Sequence, residues 1–163
     1  PSTEANLGDG LFPLHDYLEH KGHMAIGSDS HISINPFEEL RWLEYGQRLA
    51  THTRNVASLR DSHVGSELFL RALEGGAIAT GQSTVGLQAG APADLVALSG
   101  DDPMLAGHND ASRLDALVFS GYPLPIEGVM VNGEWCVRDG MHVRRDDARD
   151  AYVTAIAGLG VSR

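Results

Sequence analysis

His23–Pro36 reads HMAIGSDSHISINP. Met24, Ala25 and Ile26 form a short apolar run, and Gly27, Ser28 and Asp29 follow at once. A brief apolar run closed by small, turn-forming residues is the pattern of a buried strand. Such a strand delivers a carboxylate, Asp29, from its C-terminal tip. In barrels of parallel strands the C-terminal tips carry the chemistry and the opposite ends carry stability. Asp29 is therefore the first candidate for a functional residue. The alternative is a turn aspartate that caps the next segment.

On the C-terminal side, Ser30–Ile34 reads as a loop and Asn35 as a helix cap, with Pro36 at the first helical position and Glu38 three residues after the cap. The stretch PFEELRWLEYGQRLATHTRNV predicts a helix from Pro36 to Val56. Leu40, Leu43 and Ala50 fall near one face, with Trp42, Tyr45 and Leu49 beside them. A second helix is expected from Val64 to Glu74, with Leu68, Leu70, Ala72 and Leu73 as apolar positions and Gly75-Gly76 as its stop. On the N-terminal side, Pro13–His20 predicts a short helix with Leu14, Tyr17 and Leu18 on one side, ended by Gly22. Pro1–Gly10, rich in Pro, Ser, Gly, Asn and Asp, reads as loop.

The pattern changes at GQSTVGLQAGAP, Gly81–Pro92, which has no helical period and reads as a crossing between two units. Short β-type runs follow at Asp94–Leu98, Ala116–Phe119 and Gly128–Val131. Asn132-Gly133 then leads into Glu134–Arg138. Asn-Gly between two such runs is a strong hairpin signal, because both residues tolerate positive φ. Asp139-Gly140 marks a further turn into Met141–Val143. Asp146–Leu159 predicts a closing helix with Ala148, Tyr152, Ala155 and Ile156 on its apolar side. The expected units are residues 1–81, helices suited to the outside of a parallel sheet; 82–145, a sandwich-like β segment; and 146–163, a C-terminal helix.

The 163 residues are 42% hydrophobic and 21% charged, which are globular values. A net charge of −10 argues against nucleic acid and against anionic membrane as partners. No apolar run approaches the ~20 residues of a membrane span, and no signal peptide is visible. Cys136 is the only cysteine, so an intrachain disulfide is excluded, in keeping with a cytoplasmic location. Eight histidines are present, but none form His-x-His or His-x-x-x-His, so a local zinc motif is absent.

Four stretches carry a resemblance: STEANLGDGLFPLHDYL, GSDSHISINPFEELRWLEYGQRL, SELFLRALEGGAIATGQSTVGLQAGAPADLVAL and VMVNGEWCVRDG. Together they resemble the C-terminal part of amidohydrolase-superfamily enzymes. The SDSHISINPFEELRWLEYGQRL run is similar to the formimidoylglutamate deiminase branch. The resemblance implies an α/β fold: the last part of a (β/α)8 TIM-type barrel, with strand 8 and its helices, plus strands of a small β-sandwich. It also implies zinc-dependent hydrolysis of a formimidoyl group on glutamate, a small-molecule substrate, and a homodimer. Asp29 would be metal ligand and proton shuttle, and one Zn²⁺ would be shared with histidines that precede Pro1 in such enzymes. A complete barrel needs roughly 200 residues or more, so the chain is expected to be a fragment, inactive alone.

Around Asp29, His31 is a candidate substrate contact, with a solvent-exposed loop histidine as the alternative. Ser28 and Ser30 are candidates for orienting the Asp29 carboxylate, or else they cap local backbone. His15, His20, His23, His52, His63, His108 and His142 read as surface or structural residues. Trp42 and Tyr45 read as helix packing, and Cys136 as a small buried residue. Asp101-Asp102 and Asp146-Asp147 read as a turn and a helix start. Two other functions stay open: another amidohydrolase, such as a deaminase of aromatic bases, and a non-catalytic module.

Overall fold

The computed structural model describes residues 1–58, 63–121 and 123–160. Six α-helices and four strands run in the order α1 (Ser2–Leu7), α2 (Leu14–Glu19), α3 (Pro36–Thr51), α4 (Val64–Thr80), β1 (Leu95–Leu98), α5 (Asp110–Phe119), β2 (Ile126–Val131), β3 (Glu134–Arg138), β4 (Met141–His142) and α6 (Arg145–Gly158).

The main core lies among the helices. Leu14 and Leu18 of α2, Leu40 and Leu43 of α3, Val64 and Leu68 of α4, and Val118 of α5 are buried together with Met24 and Ala57. Phe37 of α3 stacks on Phe69 of α4 with ring centres 5.9 Å apart. Asn35 caps α3 as expected, its side-chain oxygen accepting from the Phe37 N–H at 3.0 Å. The core face of α3 differs from the expected one. Ala50 is exposed, whereas Glu44 and Gln47 are buried. The helix stops at Thr51 rather than Val56, because His52 turns to φ 58°.

Glu44 is fully buried and its burial has a cause. Its carboxylate accepts from the Val56 N–H at 3.1 Å and the Ala57 N–H at 2.8 Å, and from Arg48 Nε at 2.7 Å. The Arg48 guanidinium in turn lies 5.3 Å from the Tyr45 ring centre and 5.1 Å from that of Phe119. One carboxylate thus ties the segment after α3 back to the helix.

Gly75-Gly76 does not stop α4, which continues to Thr80 and ends at Gly81 with φ 70°. Gly75 faces the backbone of Met24. A Cβ there would overlap the Met24 carbonyl group and stand 3.0 Å from the Met24 nitrogen. The glycine marks a close approach of two backbones, not an end. Similarly, Ala116–Phe119 is the end of helix α5 and not a strand. Asn109 and Ser112 form a reciprocal capping box at its start, and Ala116, Leu117 and Val118 are buried. The Asp115 carboxylate of α5 accepts from the Gly65 N–H at 2.6 Å, joining α5 to the start of α4.

Pro1–Gly10 contains helix α1, ended by Gly8 at φ 80°. Its polar composition conceals an anchor, because Ser2 and Thr3 are buried. Met24–Ile26 carries no strand assignment. Met24 is buried and Ala25 exposed, the alternation of an extended segment, but no neighbouring strand is available among the described residues to complete a ladder.

The four strands form one antiparallel sheet in the order β1-β2-β3-β4. Leu95 pairs with Met130 and Val131 with Glu134. The predicted turns hold: Asn132 and Gly133 have φ 49° and 83°, and Asp139 and Gly140 have φ 50° and 71°. Leu98 and Leu124 pack against Leu105, Ala116 and Leu117, linking the sheet to α5. Helix α6 buries none of its residues, including Tyr152 and Ile156.

Candidate active site

The segment His23–Gly27 runs across α4 and ends in a tight turn. The His31 N–H donates to the Ser28 carbonyl at 2.9 Å. Asp29 and His31 both take positive φ, 42° and 57°. Left-handed conformations are unfavourable for side-chain-bearing residues, though aspartate tolerates them better than most. Paired at one turn, they are the local strain that functional loops often hold.

Helix α1 braces this turn from outside. The Thr3 hydroxyl accepts from the Ser30 N–H at 3.2 Å and lies 2.8 Å from the Ser30 hydroxyl. Helix α1 is braced in turn by Glu39 of α3, only 2% exposed. The Glu39 carboxylate accepts from the Ser2 N–H at 3.0 Å and from the Ser2 hydroxyl. Burial pushes the Glu39 carboxyl upward. The Ser2 hydroxyl and N–H act against this, and the carboxyl lies below the usual carboxylate range.

Beside the turn lies a cleft of about 420 Å³, to which Asp29, Thr3, Glu4 and His23 contribute polar groups and Phe12, Tyr17, Met24 and Trp42 apolar surface. The Phe12 and Tyr17 rings meet edge to face at 5.2 Å. Tyr17 donates to the His23 carbonyl at 2.8 Å, fixing the entry to the extended segment.

Of the residues expected at the site, Asp29 lines the cleft. Its carboxylate makes no hydrogen bond or ion pair among the described residues, and the side chain is exposed. Ser28, Ser30 and His31 do not line the cleft. The Ser30 hydroxyl pairs with Thr3, and Ser28 serves the turn through its carbonyl. His31 is exposed. Thr3 and His23 belong to the cleft although neither stands out in the sequence. A threonine within a polar, loop-like stretch gives no periodic signal, and His23 only precedes an apolar run.

A free carboxylate at the edge of a cleft is a suitable oxygen ligand for zinc, but zinc sites need three or four protein ligands. Among the described residues, the side chains close enough to share an ion are half-buried His15 and exposed Asp16 and Glu19, on α2 and away from this cleft. Among the described residues no three such side chains converge at this cleft.

A helical core beneath the turn that carries Asp29 is followed by a small antiparallel sheet, and the chain belongs to the amidohydrolase family, whose model matches residues 1–136. It is 46% identical over 159 residues to formimidoylglutamate deiminase of Pseudomonas aeruginosa, a match covering 97% of this chain and 35% of that protein. It is 30% identical to 5-methylthioadenosine/S-adenosylhomocysteine deaminase of Pyrococcus furiosus, covering 96% of this chain and 36% of that one. Among solved structures, an amidohydrolase from Brucella melitensis superposes with a TM-score of 0.90 at 40% identity, over 98% of this chain and 35% of that one. The atrazine chlorohydrolase TrzN of Arthrobacter aurescens TC1, solved in complex with zinc, gives a TM-score of 0.74 at 27% identity, over 93% of this chain and 33% of that one. The chain thus spans about a third of the length of these relatives. No helix among the described residues is long and apolar enough to cross a membrane.

Proposed function

We propose that this chain is the part of a formimidoylglutamate deiminase that carries its catalytic aspartate. The intact enzyme hydrolyses N-formimidoyl-L-glutamate to N-formyl-L-glutamate and ammonia, a step of histidine breakdown. The supporting observation is the 46% identity to such a deiminase along nearly the whole chain. Residues 1–81 are taken as the end of the barrel, 82–145 as the sandwich segment and 146–163 as the closing helix.

In this reaction the oxygen of water bonds to the formimidoyl carbon, and the bond from that carbon to its terminal nitrogen breaks. Zinc, when bound, supplies a water whose pKa is lowered towards neutrality. Asp29 is the ligand this chain offers, and histidines in the part of the relatives' length that it does not span would complete the set. The Asp29 carboxylate also takes both protons of the water in turn, one on attack and one as the new hydroxyl becomes the formyl carbonyl, and passes them to the terminal nitrogen, which leaves as ammonia. Its lack of any other partner among the described residues leaves it available for both tasks. Ser28 and Ser30 orient Asp29 through the turn, by the Ser28 carbonyl and the Ser30 N–H. His31, exposed on the same turn, is the proposed substrate contact. Trp42, Tyr45 and Leu49, all exposed on α3, are read as a face for a second subunit, and the intact enzyme as a cytoplasmic homodimer.

A second reading rests on the aromatic lining of the cleft, Phe12, Tyr17 and Trp42, and on the adenosine-type deaminases among the relatives. Flat apolar surfaces suit a purine. Ammonia release by the intact enzyme decides between them. Turnover of N-formimidoyl-glutamate with none of S-adenosylhomocysteine supports the first, and the reverse result replaces it with the second.

A further inference from the structure

Resting on the role given to Asp29 above, we propose that Thr3 is a positioning residue for the catalytic turn. Its hydroxyl holds the Asp29–Ser30 peptide so that the Asp29 Cα–Cβ bond stays aimed at the cleft.

The Asp29 carboxylate has no partner of its own among the described residues. The backbone sets where its Cβ points, and with that which rotamers bring the carboxylate to the cleft. That backbone is not held by a ladder, because residues 22–28 carry no helix or strand assignment. It is also in the left-handed region, where an unsupported aspartate relaxes readily to other conformations. Within the turn the hydrogen bond from the His31 N–H to the Ser28 carbonyl closes the loop but leaves the central peptide free to rotate.

Thr3 supplies the missing restraint. The Ser30 N–H that it accepts shares one rigid peptide plane with the Asp29 carbonyl. Fixing that N–H fixes rotation about the bond between the Asp29 Cα and its carbonyl carbon. The Ser30 hydroxyl, 2.8 Å from the Thr3 hydroxyl, ties the same residue a second time. Thr3 itself is 8% exposed, so water competes poorly for its hydroxyl. Its own place is set by the neighbouring Ser2, whose N–H and hydroxyl are both taken by buried Glu39. The restraint runs from α3 through Glu39 to Ser2, and from Thr3 through Ser30 to Asp29. It ends on the residue whose orientation the chemistry needs, and Thr3 lines the same cleft as Asp29.

The test uses the intact, zinc-loaded enzyme and N-formimidoyl-glutamate. Thr3→Val keeps the shape and removes the hydroxyl. Expected is a fall in kcat of about 10–100-fold, the usual effect of losing a group that orients a ligand. KM and zinc content stay at their original values, and Thr3→Ser restores most of the rate. In an Asp29→Asn background Thr3→Val costs nothing more, because residues acting on one step are not additive. Unchanged kcat in Thr3→Val overturns the proposal, as does a further loss of the same size in the Asp29→Asn background. Should Thr3→Val not fold, Thr3→Cys offers a weaker acceptor; an intermediate kcat supports the proposal and an unchanged one overturns it. Full turnover in Asp29→Asn alone removes the role of Asp29 itself, which is a separate failure from an inactive Asp29→Asn beside an unaffected Thr3→Val.

Discussion

The carbonyl group of Met24 fills the space that a side chain at Gly75 would need. The segment leading to Asp29 and helix α4 therefore touch backbone to backbone. Gly75→Ala must push them apart, and overpacking of this kind costs about 1–3 kcal/mol. Gly76 has nothing within 4 Å of where its Cβ would stand. Gly76→Ala should be neutral or stabilising by about 0.5–1 kcal/mol, the usual gain inside a helix. Urea denaturation of the two variants side by side measures the difference, and equal stabilities would remove the role given to Gly75.

Asp29→Asn keeps the size and one oxygen but removes the charge and the proton acceptor. In the intact enzyme turnover should fall by at least ~10²-fold, the lower range for a positioned acid–base group. Folding should hardly change, since the side chain is exposed. Asp101→Asn, at an exposed turn, should leave turnover untouched. Ammonia release and zinc content on the same preparations report both effects.

Glu39 makes a pH-dependent contribution whose sign follows from its depressed carboxyl. A group with a lower pKa in the folded state stabilises it above the unfolded pKa. That stabilisation begins to fade near the ordinary glutamate value of about 4.3, and it is gone once the pH passes below the folded value. Melting temperatures measured from neutral to acid pH should show this loss, centred on the anchoring of α1. Glu39→Gln should flatten that acid limb while lowering stability at neutral pH. An identical acid limb in the variant would show that the Ser2 hydrogen bonds do not depend on the charge.

Glu44→Ala leaves the Val56 and Ala57 N–H groups and Arg48 without their buried partner. Losing one side of such a buried cluster costs about 3 kcal/mol or more. Thermal unfolding gives the value. A loss below about 0.5 kcal/mol, the range of ordinary surface substitutions, would mean that water replaces Glu44 there.

How much of this was legible in the sequence depends on how local each signal is. The Asn35-Pro36 start of α3 and the Asn132-Gly133 and Asp139-Gly140 turns are decided by neighbouring residues, and they stand where expected. The carboxylate at Asp29 could be picked out because a short apolar run precedes it. Gly75 misled because a glycine that ends a helix and one that admits another backbone look alike in a single chain. The strand-like ALVF run became the end of α5 because its cap, Asn109, lies well upstream and its apolar residues all face the core. Ser2, Thr3 and Glu39 were invisible for one reason. Each is a polar residue buried by a partner distant in sequence, and no periodicity encodes that partner.

The backbone from Met24 to Gly27 holds a further consequence. Its amide protons find no acceptor among the described residues, although Met24 itself is buried. They are therefore a clock for whether anything pairs with that edge. In solution, rapid deuterium uptake at these amides would mark an open edge that can recruit any strand offered, including one from another molecule. Slow uptake in a longer chain, beside fast uptake in this one, would time the moment at which a neighbouring strand closes over the approach to Asp29.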